Sequence, residues 1–104
     1  HGTGKAAFNV EGFYAAVDSQ KQIPYAAIKR KMNVDVTIYV MAKLDTAGNL
    51  IDVYPTSGGD ELFVEAALDA VRRATPYRNP TGDIQPVEVP VHFVVQADGE
   101  DEEE

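Results

Sequence analysis

The chain has 104 residues, of which 44% are hydrophobic, so it can bury the core of one modest domain but not of two. It contains no cysteine, which excludes disulfide bonds and thiolate metal sites. Six of its 17 acidic residues fall in 98–104, leaving 11 acidic against nine basic residues elsewhere, a balance that argues against nucleic-acid binding.

The two ends of the chain differ in composition from its body. Residues 1–7, beginning HGTGK, are predicted to be a linker or the remnant of an expression tag. Residues 97–104 end in DGEDEEE, a run of like charges that we expect to be disordered. Residues 8–96 are therefore predicted to form the folded domain. No apolar run approaches the ~18 residues of a membrane-spanning helix, so we expect a soluble fragment whose anchor, if it has one, lies upstream.

Two helical segments are predicted before the first strand. Asn9 is a good N-cap residue, and apolar residues at helical spacing follow it, although Gly12 lowers the helix propensity. These apolar residues are Val10, Phe13, Tyr14 and Val17. Pro24 suits the first position of the second segment, PYAAIKRKM, which is either a short helix or a continuation after a kink. The apolar residues on one side of this segment are Tyr25, Ile28 and Met32.

The clearest strand is predicted over 34–44, where apolar and polar residues alternate with a period of two. Its apolar positions are Val34, Val36, Ile38, Val40, Ala42 and Leu44. DTAGN at 45–49 has turn chemistry, with Gly48 free to adopt a positive φ. LIDVY is therefore expected to return antiparallel as the second arm of a hairpin.

A long helix is predicted to follow the glycine pair Gly58 and Gly59. Asp60 is its expected N-cap, and Arg72 and Arg73 in its last turn favour the helix dipole. Its apolar stripe is Val64, Ala67, Leu68 and Val71. Glycines before a helix can bind an anion, but the negative charge of Asp60 disfavours this. We therefore interpret the glycines as a turn.

The last predicted strand is Val87 to Val95, again with alternating apolar residues. The order helix, strand, strand, helix, strand predicts an α+β fold. This fold is expected to have two layers: a three-stranded antiparallel sheet of order 2-1-3, and the helices packed on one face of that sheet. Pro90 lacks a backbone donor and belongs on an edge strand, so the last strand is expected to be an open edge.

An open edge is the best candidate site in this sequence. If Pro90 faces outward, the backbone groups of Glu88, His92 and Val94 also face outward and can bind an incoming strand. The alternative is that Pro90 prevents such pairing, and the residues alone do not favour either. The predicted partner-binding residues are Glu88, Val89, Pro90, Val91, His92, Phe93 and Val94.

Other reactive side chains do not converge on an active site. Asp35 and Asp52 are predicted to face each other across the hairpin. They could be a carboxylate pair for acid–base chemistry or solvated sheet residues, and solvated sheet residues are commoner. His92 is predicted to be an exposed strand residue. The basic cluster 29–31 either contacts lipid or an acidic partner or keeps a helix end soluble, the interpretation we favour. We therefore expect no catalysis, cofactor or metal.

A recognisable pattern runs through three segments, PYAAIKRK, LDTAGNLIDVYPTSGGDELFVEAALDAVRRATPYRNP and VPVHFVV. They include a strand, an Asp-x-x-Gly turn, a second strand, an Ala-rich helix with a basic end, a Pro-containing loop and a Val-Pro strand. Over residues 22 to 96 this pattern resembles the C-terminal domain of the TonB and TolA family. The sequence departs from the TonB pattern at Ala74, where TonB proteins have tryptophan, and ATPY looks more like the version found in TolA and in divergent TonB-like proteins.

The resemblance implies a function that the residues alone do not. It implies the periplasmic domain of an inner-membrane-anchored energy transducer that transmits force across the cell envelope. Its expected partners are an outer-membrane receptor or a periplasmic Tol-type protein, and inner-membrane proton-channel proteins that contact the missing N-terminal region. Family members bind a partner segment by strand addition, which favours a binding role for the Pro90 edge. The alternative is a self-associating module, such as a homodimer, of another envelope or motility machine.

Overall fold

The structure is a computed structural model that describes residues 6–97. Three helices and three strands follow one another: α1 (Val10–Gln20), α2 (Tyr25–Lys29), β1 (Val34–Leu44), β2 (Leu50–Pro55), α3 (Glu61–Ala74) and β3 (Gln85–Val95). The strands form one antiparallel sheet in the order β2-β1-β3. The predicted α+β class and the 2-1-3 order are both confirmed.

The core lies between one face of the sheet and the helices. The alternating apolar residues of β1 and β3 point to this face, and the aromatic ring of Phe93 meets Phe63 of α3 with ring centroids 5.3 Å apart. α1 also contributes buried residues, Phe13 and Val17. The prediction that both long helices pack on one face of the sheet is therefore confirmed. The polar residues of the strands lie on the other face.

α1 begins as predicted, and its glycine has a packing reason. The Asn9 side chain accepts a hydrogen bond of 2.9 Å from the backbone N–H of Gly12. A Cβ at Gly12 would lie 2.2 Å from the hydroxyl oxygen of Tyr77. The low helix propensity at this position is thus the consequence of a close approach by the loop after α3.

α2 is a separate short helix, and its predicted apolar side faces solvent. Pro24 is the N-cap and not the first helical residue. The buried residue is Ala27, whereas Tyr25 and Ile28 are 74% and 54% exposed. A helix of five residues makes little more than one turn, so it can bury only a small part of its surface. Of the predicted stripe, only Met32, which follows the helix, packs against the core.

The hairpin turn docks on the loop between α3 and β3. Gly48 adopts a φ of +87°, and its carbonyl accepts a hydrogen bond of 2.9 Å from the backbone N–H of Tyr77. The buried side-chain amide of Asn79 donates to the carbonyls of Asp45 and Asp83 at 2.9 and 2.8 Å. The predicted turn is therefore confirmed, and it also positions the chain that leads into β3.

The long helix α3 begins as expected. The Asp60 side chain accepts a hydrogen bond of 2.9 Å from the N–H of Leu62, so it caps the helix. The predicted stripe is largely right, but the buried set also contains Phe63 and Ala70, while Val64 is half-buried. The capping and turn interpretation of the glycine pair is consistent with this geometry.

Asp45 gives the turn a pH-dependent contribution to stability. Its carboxylate accepts backbone hydrogen bonds from Asn49 and Ala47 at 2.8 and 2.9 Å. The bond from Asn49 is the largest cause that lowers the pKa of Asp45 below 3.8, and desolvation partly opposes it. Because folding favours the charged form, this contribution is present above the ordinary pKa and is lost as the pH falls through the lowered one.

As the pH falls from about 5 to about 2, we expect the free energy of unfolding of Asp45→Asn to decrease less than that of the wild type. The amide oxygen of asparagine still accepts the two backbone bonds, so the variant removes only the titration. Urea unfolding at several pH values measures the difference. Asp52→Asn, which removes an exposed carboxylate on β2, is the matched control, and an equal effect from both variants would contradict the assignment.

Candidate partner-binding edge

β3 is an edge strand over its full length. All 11 of its residues pair with β1, from Gln85 opposite Leu44 to Val95 opposite Val34. On its other side no strand of residues 6–97 pairs with it, because the sheet order is β2-β1-β3. The edge that Pro90 predicted is therefore present.

The hydrogen bonds of Tyr39 show which backbone groups of β3 point outward. The carbonyl of Tyr39 accepts from Thr56 N–H at 2.8 Å, and its N–H donates to Ser57 Oγ at 2.9 Å, so both groups face away from β3. Tyr39 is opposite Pro90 in the register. Pro90 thus faces outward in a non-hydrogen-bonded pair, and so do the backbone groups of alternate residues along the strand.

The predicted site residues divide into two sets. The side chains of Val89, Val91 and Phe93 are buried in the core. The side chains of Glu88, Pro90, His92 and Val94 are exposed on the open sheet face. A partner strand would therefore contact the backbone and side chains of the second set, while the first set holds β3 in place.

Two outward carbonyls of β3 are already hydrogen-bonded by side chains of α1 and of its C-cap residue. The Tyr14 hydroxyl donates to the Glu88 carbonyl at 3.1 Å, and Lys21 Nζ donates to the His92 carbonyl. Asp18 Oδ1 lies 2.6 Å from the same Nζ and holds it. These contacts were not predicted from the sequence. The available signal was Tyr14 itself, since a tyrosine ring on an apolar stripe needs a partner for its hydroxyl.

The open face of the sheet carries polar contacts between strands. His92 Nε2 lies 2.6 Å from Asp35 Oδ1, and Glu88 Oε2 accepts from Thr56 Oγ1 at 2.6 Å. His92 is exposed, as predicted. The predicted pairing of Asp35 with Asp52 is wrong, because Asp52 lies opposite Lys43 and β2 ends before it reaches Asp35.

β1 offers a second, shorter edge. β2 pairs with β1 only over Val40–Leu44, and the groups of Tyr39 are bonded to the segment that follows β2. Among the described residues, no strand covers the β2 side of β1 at Asp35 and Thr37. This stretch is shorter than the β3 edge, so fewer hydrogen bonds are available to a partner there.

The remaining chemistry is sparse. Within 6–97 no group of three or more His, Cys, Asp or Glu side chains is placed to hold a metal ion. None of the helices in that range is long and apolar enough to cross a membrane. The basic residues 29–31 are exposed beside a shallow depression of about 310 Å³ at the end of the sheet. Residues 1–5 and 98–104, which include most of the predicted linker and acidic tail, lie outside the described chain.

Comparison with known proteins identifies the fold. No protein-family model matches the chain, and neither does any curated protein sequence. The NMR solution structure of the Helicobacter pylori TonB C-terminal domain, residues 179–285, matches with a TM-score of 0.69 and 17% identity, covering 83% of this chain and 79% of that one. The same domain as residues 194–285 matches with a TM-score of 0.66 and 17% identity, covering 89% and 100%. This chain therefore has a fold like that of the TonB C-terminal domain.

Proposed function

We propose that this chain is a TonB-type energy-transducing domain that binds a partner protein by adding the partner's strand to β3. The observation that carries the proposal is that no strand within residues 6–97 pairs with the outer side of β3 along its 11 residues, in a chain with a TonB-like fold. An outer-membrane receptor or a periplasmic Tol-type protein supplies the strand. The domain itself is periplasmic and non-enzymatic, and an upstream region anchors it in the inner membrane beside proton-channel partners.

The sheet topology suits the transmission of force. A strand added along β3 shares a pulling load among several backbone hydrogen bonds, each with a net contribution of about 1 kcal/mol. β3 is in turn paired with the whole of β1, the central strand. Load applied to the partner therefore passes through β3 into the middle of the sheet and its core.

The edge also permits self-association, which is the competing function. A structural module of another envelope or motility machine would pair β3 with a second copy of itself. The molecular mass as a function of protein concentration separates the two functions, since a transducer binds a foreign strand without any change in self-association.

Proline substitution at both Glu88 and His92 is expected to lower partner affinity by about thirtyfold or more, because two outward donors of about 1 kcal/mol each are lost. Neither N–H points toward β1, so the fold should persist. The measurement is an amide NMR titration with peptides from receptor plugs and Tol-type periplasmic proteins. Binding should shift residues 87–95.

The matched control replaces the same two residues with alanine. Glu88→Ala with His92→Ala removes both side chains but keeps both backbone donors, so binding should persist. Unchanged affinity in a folded double-proline variant would reject strand addition at β3. Shifts confined to 33–38 would instead place the partner on the shorter edge of β1.

A further inference from the structure

The basic cluster 29–31 lies at the end of α2 and carries three positive charges in a row. All three side chains are exposed, and none forms an ion pair with another of residues 6–97. Two other basic residues, Lys21 and Arg72, each pair with an aspartate three residues earlier. The cluster is therefore a charged surface whose counter-charge does not lie in the described part of the chain.

Lys31 occupies a backbone position that suits glycine better. Its φ is +54°, and it ends α2 by donating its N–H to the Ile28 carbonyl at 3.0 Å, while Met32 N–H donates to the Ala27 carbonyl at 3.1 Å. Glycine is the usual residue at such a helix end, because it has no Cβ to clash in the left-handed conformation. A lysine at this position is a reason to look for a function of its side chain.

The described chain ends beside the cluster. The N–H of Ala97 donates to Asn33 Oδ1 at 2.8 Å, and Asn33 is only two residues from Lys31, at most ~7 Å along the chain. Ala97 and Lys31 line the same shallow depression. The seven residues of 98–104 can span at most ~25 Å, so every one of them can lie within reach of the cluster.

The charge of 98–104 is complementary to that of the cluster. This segment contains six acidic residues and no basic one, so its side chains repel one another unless cations lie nearby. A single exposed ion pair contributes little. Attachment to the same chain, however, gives the acidic segment a high effective concentration at the cluster.

Other basic side chains are less well placed for this contact. Lys43 is opposite Pro86, at the far end of β3 from Val95, and nine residues of strand span ~30 Å. Arg30 lines a separate depression with acidic residues at the start of α3. Lys29 and Lys31 are therefore the principal charges open to the acidic segment.

We propose that the basic cluster 29–31 is the docking surface of the acidic segment 98–104 of the same chain, an autoinhibitory contact that keeps other anionic ligands off the cluster. Because Asn33 leads into β1, and β1 lies on the inner side of β3, docking also draws the acidic segment away from the open edge of β3. This inference goes beyond the proposed strand addition at β3 and does not depend on it.

The test compares the wild type with a variant in which the acidic segment is neutral. Raising NaCl from about 10 mM to about 1 M shortens the Debye length from ~30 Å to ~3 Å and should release the segment. The amide NMR signals of residues 28–33 should therefore move with salt in the wild type, and at least about threefold less in the variant. The neutral variant carries Asp98→Asn, Glu100→Gln, Asp101→Asn, Glu102→Gln, Glu103→Gln and Glu104→Gln.

Two further variants locate the contact. Lys29→Gln with Arg30→Gln and Lys31→Gly removes the cluster, and glycine suits the left-handed backbone, so this variant should fold. Neutralising the acidic segment in that background should cause no further shift at 28–33. Lys43→Gln, the same charge change at the far end of the sheet, is the matched control and should leave the salt response as in the wild type.

The other outcomes overturn the proposal. An equal salt response at 28–33 in the wild type and the neutral variant would show that the segment does not dock there. A response that grows with protein concentration would assign the contact to a second copy. Anionic lipid is the alternative ligand. If phosphatidylglycerol vesicles bind the wild type through 29–31 as tightly as they bind the neutral variant, the segment does not cover the cluster. None of these measurements involves a partner strand, so a failure here leaves strand addition at β3 untouched.

Discussion

Gly48→Ala is expected to lower the free energy of unfolding by about 3 to 5 kcal/mol. A Cβ at this position would lie 2.1 Å from the backbone oxygen of Tyr77 and 2.9 Å from its carbonyl carbon. Its φ of +87° adds backbone strain for any residue with a side chain. The loop cannot retreat without breaking the hydrogen bond from Tyr77 N–H to the Gly48 carbonyl. Urea denaturation measures the loss.

Two other glycines serve as controls for this prediction. Gly82 has a φ of +81°, but no atom lies within 4 Å of the position that a Cβ would take. Alanine at this position should therefore lower the free energy of unfolding only through backbone strain, by about 1 to 2 kcal/mol. Gly58 has neither a positive φ nor a close neighbour, so its alanine variant should be nearly neutral. Equal losses at Gly48 and Gly82 would show that the close approach to Tyr77 contributes nothing.

The elements that depend on local chemistry were predictable from the sequence. The alternation over 34–44, the caps Asn9 and Asp60, and the turn at 45–49 each follow from neighbouring residues, and the structure confirms them. The exposed side of α2 and the placement of Asp52 were not predictable in this way. The first depends on how a five-residue helix sits on the sheet, and the second on where β2 ends and on the register shift at Lys43 and Leu44.

The sequence predicted which strand forms the candidate site, but not which backbone groups of that strand are free to bind a partner. Pro90 indicated an edge because a missing N–H is compatible with few positions in a sheet. The capping of that edge depends on contacts between residues 74 and 71 positions apart, Tyr14 with Glu88 and Lys21 with His92. No periodicity encodes such contacts, since they require the position of α1 relative to β3.

Asn79→Ala is expected to lower the free energy of unfolding by about 3 kcal/mol, because it removes the four hydrogen bonds that this buried side chain makes. Its side chain is 6% exposed, and it donates to the carbonyls of Asp45 and Asp83. Its Oδ1 accepts from the N–H and the hydroxyl of Thr81 at 3.1 and 2.7 Å. Asn33, an exposed asparagine whose Oδ1 accepts one bond from Ala97, is the matched control, and its alanine variant should lose less than about 1 kcal/mol.

The same substitution should loosen the end of β3 that follows the loop. Asn79 joins the hairpin turn to the chain just before Gln85, where β3 begins opposite Leu44. Amide hydrogen exchange in Asn79→Ala should therefore accelerate more at Val87, near this end, than at Val95, at the far end of the strand. Because Gly48 and Asn79 hold the same junction, the losses of the double variant should fall short of their sum. Strict additivity, or uniform exchange along β3, would show that the junction does not act as one unit.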